Sequence, residues 1–90
     1  MKIYRYELDI VDRQFVRMAA VGKVLSVASR GDGPAPLHMW ALVDPDSRTV
    51  DREFAIYGTG NYIEDDVLDQ IFIGTCVQSG LVWHVFEVIR

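Results

Sequence analysis

The chain has 90 residues, half of them hydrophobic, and a formal net charge of −4. That length accommodates one domain, spanning 1–90, and so apolar a composition excludes a disordered chain. The acidic balance, with no run of lysine or arginine, argues against a protein that tracks a nucleic-acid backbone.

Polar and apolar side chains alternate along most of the sequence, the pattern of strands with one face buried. The first strand is predicted over 2–8, with Tyr4, Tyr6 and Leu8 on one face and Arg5 and Glu7 on the other. A second follows over 14–19, where Phe15 opposes Val16 and Met18. Gly22 interrupts the chain, and 23–28 resumes as a strand. Arg30-Gly31-Asp32-Gly33-Pro34 reads as a turn, because its glycines permit positive φ and its proline cannot continue a ladder.

The segment 37–43 is next, and Met39 to Val43 is apolar on both faces, which predicts a central position. Asp44-Pro45-Asp46-Ser47 ends it with turn chemistry. Over 51–57 the pattern directs Phe54 and Ile56 inward and Asp51 and Glu53 outward. Gly58-Thr59-Gly60-Asn61 opens an irregular stretch that holds at most one short helical turn near 62–69, with Asn61 as its cap and Glu64 as the capping-box partner. Strands over 71–77 and 81–89 close the chain, joined by the short Gln78-Ser79-Gly80 connection of a hairpin. Leu81 to Ile89 is almost wholly apolar except for His84 and Glu87, which predicts either a central strand or a face against another subunit. About seven antiparallel strands with closely spaced turns define an all-β fold, a small sandwich or barrel.

Glu64, Asp65, Asp66 and Asp69 carry the acidic excess and read as a solvated segment. A single cysteine, Cys76, allows no internal disulfide and no zinc–cysteine cluster, and with no basic neighbour in sequence it reads as an inert core thiol. Met1 to Asp9 lacks the apolar core of a signal peptide, and no apolar run has the length of a membrane-spanning helix, so no membrane association is expected.

No catalytic constellation is legible. His38 and His84 lie mid-strand among large apolar residues, and no spacing brings metal ligands together. The serines lack a nucleophile motif. No catalytic residue, metal ligand or cofactor is therefore assigned. The Gly58-Thr59-Gly60-Asn61 turn is the best ligand candidate. Its backbone N–H groups can approach an anion closely, Thr59 and Asn61 add donors, and Tyr57 and Tyr62 flank it as stacking platforms. The nearby acids require a compensating cation there, from Arg52 or Arg30. The same stretch also reads simply as a turn that ends a strand. Trp40, Trp83 and His84 read either as packed residues or, if exposed, as interface anchors.

Taken together, the segments Trp40-Ala41-Leu42-Val43-Asp44-Pro45-Asp46, Phe54-Ala55-Ile56-Tyr57-Gly58-Thr59-Gly60, Ile73-Gly74-Thr75 and Val82-Trp83-His84-Val85-Phe86-Glu87 resemble a family of short uncharacterised proteins of tailed phages and prophages, a domain of unknown function. Tyr4-Arg5-Tyr6-Glu7-Leu8 and Asp12-Arg13-Gln14 extend the resemblance over nearly the whole chain. It implies phage or prophage origin and action in the host cytoplasm, and no catalytic residue is carried over from it. The function expected on this basis is a non-catalytic accessory binding protein that inhibits a bacterial host or anti-phage defence factor, by binding a protein or by sequestering a nucleotide signal. A virion structural or assembly component is the alternative. So small and apolar a chain is also expected to form a homo-oligomer.

Overall fold

The structure is a computed structural model, described here for residues 1–30, 36–63 and 68–89. Seven strands form two antiparallel sheets: β1 (Lys2–Leu8), β2 (Arg13–Ala19), β3 (Gly22–Ala28), β4 (Leu37–Val43), β5 (Thr49–Gly58), β6 (Gln70–Gln78) and β7 (Leu81–Val88). One sheet has the order β1-β4-β3 and the other β2-β5-β7-β6. The sheets stack face to face without closing, so the architecture is a sandwich and not a barrel. The molecule is only 16 Å across its thinnest axis, as two stacked layers require.

Alternation explains the packing. On β4, Leu37, Met39, Ala41 and Val43 are fully buried while His38, Trp40 and Leu42 face outward. Leu8 pairs with Leu37 and Tyr6 with Met39, so the inward set of β1 continues that layer. From the other sheet, Met18 on β2, Phe54 and Ile56 on β5, Cys76 on β6 and Val85 on β7 complete one shared core. Each fully buried large side chain stabilises the fold by roughly 1.5–3 kcal/mol. Both strands that are apolar on two faces, β4 and β7, are central in their sheets.

The connections follow from local chemistry. Gln14 brackets Asp9, accepting from its N–H at 3.0 Å and donating to its carbonyl at 2.7 Å, where the chain crosses between sheets. Asp44 organises the turn after β4: its Oδ1 accepts from the Asp46 N–H, and its carbonyl accepts from the Ser47 hydroxyl. In the β6–β7 hairpin, Ser79 and Gly80 both have positive φ, 54° and 76°, the twist that suits a two-residue turn between right-twisted strands.

The edge strands β3 and β6 each carry an irregularity, between Val24 and Ser26 and between Phe72 and Gly74. Bulges disturb the row of free backbone groups that would otherwise template edge-to-edge pairing. The two bulged edges lie together, since a Cβ on Gly74 would come within 3.0 Å of the Val27 side chain.

The turn at Arg30 to Pro34 and the helical turn near 62–69 fall wholly or in large part outside the described residues. Among the described residues, no helix is long and apolar enough to cross a membrane.

Candidate functional site

The ends of β5, β6 and β7 bring together the turn that sequence reasoning singles out and the last hairpin. Tyr57 and His84 are register partners on the outer face of the four-stranded sheet, as are Val77 and Val82. Gly58 starts the turn, and the Asn61 N–H donates to its carbonyl at 3.0 Å. The turn packs closely on Gly58: a Cβ there would lie 2.9 Å from the Asn61 amide and 3.3 Å from the Trp83 ring, so the Asn61 side chain would have to shift.

His84 is the hub of this surface. The Thr59 hydroxyl is 2.7 Å from its Nε2 and the Thr75 hydroxyl 3.0 Å from its Nδ1. A neutral imidazole donates from one nitrogen and accepts at the other, so one threonine accepts while the other donates. A histidine that activates a nucleophile is ordinarily backed by a carboxylate, which orients the ring and stabilises its charged form. Here the second nitrogen meets a hydroxyl. The arrangement fixes the ring and gives it no anionic support. On the same face Val77 is exposed opposite Val82, and beyond the turn Tyr62 is 96% exposed.

Of the residues proposed for a nucleotide, Thr59, Asn61 and Tyr62 are solvent-exposed at the turn. Tyr57 is buried instead on the outer face of the sheet, packed with Ala55 and Val88 and covered by Ile63 and Phe86. Its hydroxyl accepts from Arg13 at 3.3 Å and donates to Gln70 at 3.0 Å, so its ring is not an open stacking platform. Arg52 lies six residues before Gly58 on β5, about 20 Å along the strand. It faces the sandwich interior and grips Glu87 through two hydrogen bonds of 2.6 and 2.8 Å. The other proposed cation, Arg30, is turned towards Glu7 at 3.7 Å. The turn and His84 are thus brought together through Thr59, while Arg52 and the Tyr57 ring stand apart from them.

Trp40 lies on the outer face of the three-stranded sheet, edge-on to His38 at 5.8 Å. Trp83 projects to the inner side and is half-buried, with its Nε1 enclosed and unbonded. The three interface candidates therefore occupy three different faces; His84 meets the turn through Thr59 on the outer face, Trp83 lies against Gly58 from the inner side, and Trp40 is on the other sheet. Burial raises the pKa of the Cys76 thiol, which keeps it protonated as a core residue. Among the described residues, no three histidine, cysteine or acidic side chains cluster as metal ligands do.

Thr75 and Glu87 were not picked out from the sequence. Both have a parity signal, since Thr75 is opposite His84 in a hairpin register and Glu87 shares a face with Trp83 and Val85.

The fold and surface define a small two-sheet β-sandwich with a threonine-clamped histidine on an open sheet face. By comparison with protein families, residues 1–90 match the Domain of unknown function (DUF7352), and the chain belongs to that family. No curated protein and no solved structure matches it.

Proposed function

We propose that the chain is a non-catalytic binding protein that docks a protein partner on the outer face of its four-stranded sheet, around His84. The observation that carries this reading is the clamped imidazole on an open sheet face: Thr59 and Thr75 hold the ring, and the Val77–Val82 pair continues the same face with Val77 exposed. A fixed polar centre with aromatic and aliphatic neighbours is the composition of an interface hot spot. With both ring nitrogens taken up by threonine hydroxyls, the geometry favours recognition over proton transfer.

The resemblance to short proteins of tailed phages and prophages supports a finer version. In it the protein acts in the host cytoplasm as an accessory inhibitor, a homo-oligomer that occupies a bacterial host or anti-phage defence factor. Sequestration of a nucleotide is the second reading. It draws on a cleft of about 300 Å³ lined by Gly58, Thr59, Asn61, Leu81 and Trp83, beside exposed Tyr62. The described lining of that cleft has no basic side chain to offset a phosphate.

The test is retention of a bacterial protein by immobilised wild type and by the Val77→Asp/Val82→Asp variant. A specific protein held by the wild type and released by the variant is the expected result. Equal retention by both contradicts the docking surface. A nucleotide released from the purified wild type on denaturation, with no protein retained, replaces it with the second reading.

A further inference from the structure

The two sheets have four edge strands, β1 and β3 on one and β2 and β6 on the other. An edge strand presents a row of unpaired backbone groups that templates pairing with another chain unless something blunts it. The bulges blunt β3 and β6. β1 is regular, but it exposes Lys2, Arg5 and Glu7 along its length, and charge on an edge has the same effect. β2 differs from all three. Its seven residues pair with β5 in unbroken register, and among the described residues no strand lies on its other side. Its two charges, Arg13 and Arg17, are drawn back over β5 by Glu53 at 3.2 Å and Asp51 at 3.4 Å. Between them Phe15 is 68% exposed on the outer face. Val11 and Val21, just beyond the two ends of the strand, are exposed as well.

The order of residues along β2 identifies what pairs with it. Two copies of the strand can lie antiparallel about a twofold axis, and inner residues then meet inner residues only in registers two residues apart. Centred on Val16, all seven residues are paired: Val16 with itself, Gln14 with Met18, Phe15 with Arg17 and Arg13 with Ala19. No like charges then lie directly opposite, and each Phe15 ring meets a guanidinium. Counted past the strand ends, the same register brings Val11 of one copy level with Val21 of the other. Centring on Phe15 instead sets Arg13 against Arg17, and centring on Arg17 sets that residue against itself, both of which are unfavourable. We propose that β2 pairs with β2 of a second copy in the register centred on Val16, which joins the two four-stranded sheets into one. This gives the homo-oligomer of the proposed function its interface. It rests on that reading for oligomerisation alone, and edge pairing leaves the sheet face around His84 uncovered.

Sedimentation equilibrium of the purified protein up to about 0.5 mM should show a monomer–dimer equilibrium. Phe15→Lys places a lysine beside Glu53 in its own sheet and opposite Arg17 of the other copy. The variant should keep the fold and raise the dimer dissociation constant by about tenfold or more. Val16→Cys brings two thiols face to face at the twofold axis, where directly opposed Cβ atoms are about 4.5–5.5 Å apart. Under mild oxidation it should form a covalent dimer faster than Leu25→Cys, which lies on the bulged edge β3 and is itself exposed. Should Phe15→Lys fail to fold, the cross-linking comparison decides alone. A wild type that stays monomeric overturns the proposal and the oligomer with it. A dimer that Phe15→Lys leaves unchanged, or that cross-links no faster through Val16→Cys than through Leu25→Cys, overturns this interface while the oligomer stands. Retention of a bacterial protein is measured separately and is decided by neither result.

Discussion

Arg52 and Glu87 side chains are 16% and 10% exposed, so each is the other's counter-ion largely out of reach of solvent. Arg52→Met leaves Glu87 buried without its counter-ion and is expected to cost about 3–5 kcal/mol, read from urea unfolding. The double replacement by methionine should lie within about 1 kcal/mol of the wild type, because the desolvation penalty disappears with the pair. A double variant as unstable as the single one would contradict this pairing. His38 supplies a pH test. Its Nε2 is enclosed without a partner, and burial, with Arg30 and Arg5 nearby, pushes the imidazole below its usual 6.5. The unfolded chain therefore takes up this proton first as pH falls. The contribution is intact above about pH 6.5 and is lost below it, down towards the lowered value in the folded protein. Tm measured from pH 7.5 to 5 should fall less steeply in His38→Gln than in the wild type. Parallel curves would show that His38 titrates alike in both states.

At the scale of elements, the β6–β7 hairpin depends on its turn. Gly80 has φ 76° with open space around it, so Gly80→Ala meets backbone strain and no clash. A loss of about 1–2 kcal/mol is expected from chemical denaturation, and a neutral result would mean that the turn has another geometry. The strands themselves were legible because one property repeated: apolar side chains at every second position. The centrality of β4 and β7 was equally legible, since Met39 to Val43 and Leu81 to Ile89 offer apolar residues to both faces. Their ends were less so. β5 runs to Thr49 and Gly58, beyond the predicted 51–57, because pairing with β2 and β7 continues past the alternating residues. Parity along β5 also puts Arg52 on the face of Phe54 and Ile56. That signal conflicts with the ordinary preference of arginine for solvent, and only a partner from β7, 35 residues later, reconciles them. Burial of Tyr57 was hidden for a similar reason. Its side of the strand faces outward, and the covering Ile63 comes from an irregular segment without periodicity.

For the whole molecule, assignment of strands to sheets is a long-range property. Consecutive strands β1 and β2 lie in different sheets, as do β4 and β5, and no local pattern distinguishes such a crossing from a hairpin. The same assignment separates the two surfaces. The inner faces share one core, the outer face of the larger sheet presents His84, and β2 forms the edge of that sheet opposite β6. All three depend on two layers meeting through Leu37, Met39 and Val43 on one side and Met18, Ile56 and Val85 on the other. Nuclear Overhauser spectroscopy on methyl-labelled protein measures that contact directly. Cross-peaks should connect the first set of methyl groups with the second, together with the β4–β1 and β5–β7 backbone registers. Sharp methyl signals with no cross-peak between the two sets would contradict the sandwich.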